Sequence, residues 1–213
     1  YDDYAFRSLT GFDNAGFPAA TIDAKGYVTG SVITVLGSST KLYSANYYDF
    51  EGRITKTVQG NLLEGYDTTN TVYTFTGKPN TVTHTHTASG KTTRTEVYTY
   101  TYDHADRISK VQHSLGGTSI TLYDATYDNF GRLLTKQYHG TSINKLTYAY
   151  NLRSWLTGIS GTCFTQNLYY NTGVGTAKYN GNISSMTWKS GNESTVRGYK
   201  FTYDGLSRLM NAT

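Results

Sequence analysis

The chain has 213 residues, of which 37% are hydrophobic and 21 are tyrosine. Lys and Arg number 19 against 15 Asp and Glu, a net charge of +4 with no basic run, so nucleic-acid binding has no footing. A lone Cys163 excludes an internal disulfide framework and a four-cysteine zinc site, and no apolar run is long enough to span a bilayer.

One phrase recurs along the chain: Tyr-Asp, two residues, Gly, Arg, then an aliphatic residue. A weak copy begins at Phe12. Tyr48-Asp49-Phe50-Glu51-Gly52-Arg53-Ile54 is a good copy, and a degraded one starts at Tyr73. Tyr102-Asp103-His104-Ala105-Asp106-Arg107-Ile108 differs only at the Gly. Tyr127-Asp128-Asn129-Phe130-Gly131-Arg132-Leu133 is the full form. Weak copies begin at Tyr150 and Tyr179, and Tyr203-Asp204-Gly205-Leu206-Ser207-Arg208-Leu209 closes the series. The starting points are separated by 36, 25, 29, 25, 23, 29 and 24 residues. A period in the twenties marks a repeat architecture, and 1–213 reads as a single continuous array of about eight units.

Each unit predicts two strands and two turns. Tyr123, Ala125 and Tyr127 alternate with Asp124 and Thr126, the period of a strand with one aromatic face. Tyr98, Tyr100 and Tyr102 share a face in the same way, as do Tyr199, Phe201 and Tyr203. Asp at the first and Gly at the fourth position suit a type I turn, with Gly131 and Gly52 at positive φ closing the hairpin through a bulge. Such turns are expected at 49–52, 103–106, 128–131 and 204–207. Asp106 tolerates the left-handed region, whereas Ser207 points to a different turn. Gly60-Asn61, Ser89-Gly90, Gly116-Gly117, Gly140 and Ser190-Gly191-Asn192 mark turns at the far ends. No segment sustains a helical period. The fold class is therefore all-β, an antiparallel β-meander of two-stranded repeats.

The repeated Asp49, Asp103, Asp128 and Asp204 fall one per unit and do not converge. Asx-type capping of the turn accounts for them better than catalysis or metal binding. The repeated Arg can stack on a Tyr of a neighbouring unit or bond loop carbonyls. His84 and His86 share one strand face and could supply half a zinc site, but no third ligand can be placed. No GxSxG elbow occurs, and Cys163 reads as a small half-buried residue. Trp155 and Trp188 are the candidate aromatic platforms for a sugar ring, with cross-strand packing as the competing reading. Asn182, Asn192 and Asn211 open glycosylation sequons, which matter only in a host that glycosylates. No catalytic residue, cofactor or metal site is assigned.

The YDxxGR copies, together with Tyr150-Asn151-Leu152-Arg153-Ser154-Trp155-Leu156, Tyr179-Asn180-Gly181-Asn182-Ile183 and Tyr73-Thr74-Phe75-Thr76-Gly77-Lys78, resemble the Rhs or YD-repeat family from Phe12 to Asn211. The resemblance implies a curved sheet forming part of a hollow β-shell. In bacterial members that shell encloses a C-terminal toxin or other variable domain. The teneurins, animal relatives, use a similar shell in adhesion at the cell surface. The chain departs from the family in lacking a recognisable C-terminal core segment and a payload domain, so self-cleavage and toxicity do not carry over.

The expectation is a non-enzymatic wall segment of a secreted or cell-surface protein, its partner being the rest of the same polypeptide. The alternative is a surface adhesion or carbohydrate-binding module that contacts cell-surface glycans. Cut from a longer chain, such a piece would either self-associate through its end repeats, near Phe12 and near Tyr199 to Leu209, or curl so that its edges are covered.

Overall fold

A computed structural model describes residues 1–12, 16–22 and 24–213. The fold is all-β, and the strands stand in the sheet in their chain order as an antiparallel meander. Two compact units divide the chain, residues 1–120 and 121–213.

The first unit opens with a 3-10 turn, Ala5–Ser8. It continues through β1 (Gly30–Thr34), β2 (Lys41–Tyr48), β3 (Ile54–Gly60), β4 (Tyr66–Tyr73), β5 (Pro79–His86), β6 (Arg94–Tyr102) and β7 (Ile108–Leu115). The second unit holds most of β8 (Thr118–Tyr127), then β9 (Leu133–Tyr138), a 3-10 turn at Ser142–Asn144, β10 (Lys145–Tyr150) and β11 (Leu156–Gly161). It ends with β12 (Phe164–Tyr169), β13 (Ser185–Ser190), β14 (Arg197–Tyr203) and β15 (Leu209–Ala212). Among the described residues no helix is long and apolar enough to cross a membrane.

Each Tyr-Asp hairpin carries a second irregularity just past its turn. Tyr48 pairs with Ile54 but Tyr47 pairs with Lys56, leaving Thr55 as an extra residue. The same skip leaves Asn80, Ser109, Leu134, Thr157 and Met210 unpaired in the later hairpins. A bulge of this kind bends the strand and increases its right-handed twist. The skip has no residue signature, because Thr, Asn, Ser, Leu and Met all occupy it.

The core of the first unit comes from the N-terminal segment ahead of β1. Phe12 and Phe17 are buried against Ala45, Tyr47 and Val58, with Tyr4, Phe6, Tyr43 and Tyr66 packed around them. The N-terminal residues therefore form a cap over one face of β2–β4. Phe12 meets Phe17 at 5.0 Å and Tyr43 at 4.8 Å, both edge to face. The Tyr47 hydroxyl donates to the Pro18 carbonyl at 2.8 Å, and Arg7 Nε to the Phe17 carbonyl at 2.7 Å. Gly16 allows the close approach, since a Cβ there would lie 2.2 Å from the Tyr66 ring.

Phe12 is itself a core residue, so a contact in the first repeat would use the side chains around it. The weak repeat proposed from Phe12 runs through 13–15, which lie outside the described residues.

Beyond the cap the same face becomes polar. Ala45 and Val58 are continued across the strands by Thr68, Thr85 and Thr95. Tyr47 and Lys56 are continued by Asn70, Thr83, Val97 and Ser114. Among the described residues the clustered hydrophobic core lies under the cap, and the positions that continue this face across β4–β7 are Thr, Asn and Ser with Val97 among them.

Candidate functional site

The residues with recurring chemistry are those of the Tyr-Asp turns, and their geometry repeats from turn to turn. Asp128 Oδ1 accepts from the N–H groups of Phe130 and Arg132, each at 2.9 Å. Its Oδ2 receives Arg132 Nε at 2.7 Å. The Asp128 N–H donates to the Arg132 carbonyl and the Gly131 N–H to the Asp128 carbonyl, both at 2.9 Å. Matching bonds link Asp49 to Arg53, Asp103 to Arg107 and Asp204 to Arg208. Capping by Asp is as the sequence implies. The ion pair within the turn is additional, and Arg five places after Tyr was its available signal.

These bonds favour the ionised carboxylate. The Arg107 side chain holds the Asp103 carboxyl down at about 2. At Asp49 and Asp128 burial pushes upward, but the N–H and guanidinium bonds from Arg53 and Arg132 outweigh it and lower both. The Arg208 N–H leads the same downward shift at Asp204.

The turn survives substitution. Gly52 and Gly131 have φ of 79° and 81°, and Asp106 and Ser207 take the same place at 60° and 61°. Ser207 does not signal a different turn: its N–H donates to the Asp204 carbonyl at 3.1 Å as in the other copies. Thr74 caps the Lys78 N–H at 3.1 Å, and Asn151 Oδ1 caps the N–H groups of Arg153 and Trp155 at 2.9 and 3.0 Å. Asn61 closes a like turn at the opposite end of its strands, with Glu64 at φ 53°.

Tyrosine ties one hairpin to the one before it. The Tyr73 hydroxyl donates to the Ile54 carbonyl and the Tyr102 hydroxyl to the Pro79 carbonyl, each at 2.8 Å. Tyr150 donates to the Leu133 carbonyl at 3.0 Å, and Tyr170 and Tyr203 to the carbonyls of Leu156 and Ile183 at 2.8 Å. Arg53 lies 4.8 Å from the Tyr73 ring centre, Lys78 5.4 Å from Tyr102 and Arg132 4.8 Å from Tyr150. The expected stacking on a neighbouring unit is therefore present. The tying residue of the seventh repeat is Tyr170, with Tyr179 exposed on the loop beyond it.

His84 and His86 project from β5 on the face opposite the cap, into a cavity of about 360 Å³ that Asp67, Thr69, Arg94 and Glu96 also line. His84 Nδ1 is 2.9 Å from Thr69 Oγ1, and His86 Nδ1 is 2.5 Å from Asp67 Oδ1. His113 Nε2 lies 3.0 Å from Glu96 Oε2 and its ring packs on Tyr98. Each of these three histidines thus has its own polar partner. Among the described residues no three ligating side chains converge on a point that would hold a metal ion.

The two tryptophans are half-buried and have partners of their own. Trp155 packs against Tyr170 at 4.9 Å, and the Arg153 guanidinium lies 5.1 Å from its ring centre. Trp188 stacks on Tyr199 at 5.2 Å with an interplanar angle of 25°. Cys163 is exposed, not half-buried. When compared with known proteins, the chain matches no family model and no curated sequence.

Proposed function

We propose that this chain is a non-enzymatic wall segment of an Rhs-like or YD-repeat shell, in which the repeats hold one another and enclose a second polypeptide. The observation that carries this reading is the Asp–Arg clamp with its tyrosine tie. The most repeated charged and aromatic groups are engaged in closing turns and joining hairpins, one set per hairpin, and they do not converge on a substrate. The polar continuation of the capped face suits a wet surface facing an enclosed chain. A shell of this kind belongs to a secreted or surface protein.

The test is limited proteolysis of the full natural polypeptide. Co-elution of this segment with a protected second fragment after nicking supports the carrier role. Loss of every other fragment at the same protease dose contradicts it. In the alternative adhesive role, Trp155→Ala and Trp188→Ala would abolish binding on a glycan array. The engagement of both rings by Tyr170 and Tyr199 favours packing over that role. Self-association is proposed near Phe12 and near Tyr199 to Leu209, and the strands that end the sheet order, β1 and β15, offer the edges for it.

A further inference from the structure

In an antiparallel meander alternate connections lie at the same end. In the second unit that end carries the turns at 128–131, 151–154 and 204–207 and the long connection at 170–184. Every one of these four presents a large apolar side chain to solvent. Phe130, Leu152, Val174, Tyr179 and Leu206 are between 66% and 106% exposed. At the turns these side chains occupy the two tip positions of the motif, where capping and pairing ask for no particular residue. Three independent turns nonetheless carry Phe or Leu there.

The charge on this rim is one-sided. Asp128 pairs with Arg132 and Asp204 with Arg208. At the middle turn Asn151 and Trp155 stand in the two clamp positions, so that turn has no ion pair of its own, and Arg153, a tip residue, adds a positive charge. It lines a cavity of about 340 Å³ with Lys178, Trp155, Asn171 and Tyr179, and no carboxylate contributes to that lining. The Arg153 guanidinium is held in place by its bond to the Tyr179 carbonyl at 2.6 Å and by the Trp155 ring. The second unit has nine Lys and Arg against four Asp and Glu, a net of +5, whereas the first has ten against eleven, a net of −1.

We infer that this rim of the second unit is a docking edge for an anionic lipid surface, with the apolar tips entering the headgroup region and the Arg153–Lys178 cavity receiving a lipid phosphate. The spacing favours lipid over a protein partner. Adjacent hairpin tips stand about 10 Å apart, two strand spacings, with polar turn residues between them. Protein interfaces need a contiguous, closely packed core patch. A bilayer interface accepts separate apolar side chains one at a time and adds attraction to neighbouring cations.

The test is flotation of the whole chain with phosphatidylcholine vesicles, with and without phosphatidylglycerol. The expected result is binding only when phosphatidylglycerol is present, weakening as salt is raised. The triple variant Phe130→Ser, Leu152→Ser, Leu206→Ser changes exposed tips, of which Phe130 also lies 5.1 Å from the Arg132 guanidinium, and should bind at least about tenfold more weakly, with a urea midpoint close to the parent's. Arg153→Gln, checked for the same midpoint, should weaken binding to phosphatidylglycerol vesicles. Soluble glycerol phosphate should compete poorly, because it lacks the apolar part. Failure to float, equal binding to both vesicle types, or unchanged binding by the triple variant would overturn the inference.

Discussion

Arg132 reaches in two directions: its Nε bonds Asp128 at 2.7 Å within its own turn, and its guanidinium lies 4.8 Å from the ring centre of Tyr150 in the next hairpin. The same tyrosine returns a hydroxyl bond to the carbonyl of Leu133, the residue after the arginine. Turn closure and repeat-to-repeat registration are thus one local network. This explains why Tyr, Asp and Arg recur together at fixed spacing.

The left-handed residue of the turn sets the first prediction. Gly131→Val places a β-branched residue at φ 81° and should cost more than about 1 kcal/mol in a urea titration. Gly131→Asn should cost less, because Asn tolerates that region. Gly117→Val is expected to be strained as well. Gly116 and Gly117 both have positive φ, 60° and 91°, so the neighbour offers no relief.

Acid should weaken the clamps in a defined window. A carboxylate whose pKa is depressed in the folded state contributes fully above its unfolded value of about 3.9 and loses that contribution as pH falls through the folded value. For Asp103 the folded value is about 2. The urea midpoint should therefore fall between about pH 5 and about pH 2. Asp103→Asn should flatten that fall while keeping the N–H caps, as Asn151 does naturally. Asp103→Ala should be the more damaging change, since it also removes the caps. An unaltered acid profile in Asp103→Asn would separate the clamp from acid stability.

The meander, the turn positions and the role of Asp were legible because they follow from short-range grammar: alternation for strands, Asp and Gly for turns. The cap was not. Phe12 and Phe17 sit in a stretch without strand alternation, and their burial depends on Ala45, Tyr47 and Val58 of β2 and β3, 28 to 46 residues later in the chain. The bulge past each turn was hidden because its extra residue uses backbone freedom and not a particular side chain. Tyr170 was overlooked because the residues after it, Asn171 to Ile183, form a long irregular connection in place of a tight turn, and Tyr179 offered the closer match to the motif. The Asp–Arg bond was within reach, since the spacing of four brings the two side chains together across the turn.

The cap gives a third prediction. Phe17→Ala empties the centre of the first unit's core and should cost about 3–5 kcal/mol. Phe75→Ala, at a fully exposed turn tip, should stay within about 0.5 kcal/mol of the parent. Amide exchange should accelerate in β2 and β3 of Phe17→Ala before it does in the second unit. Uniform acceleration along the chain would mean that the cap serves more than the strands it covers.

The most direct test of the central claim, that the motif residues are ties between successive repeats, is a double-mutant cycle. Arg132→Ala, Tyr150→Leu and the double variant would be compared by urea unfolding. The two side chains belong to different repeats, and contact across the hairpins predicts a coupling of about 0.5–1 kcal/mol. Strict additivity of the two losses would contradict the account, because the arginine would then serve its own turn alone and the repeats would be joined only by backbone pairing.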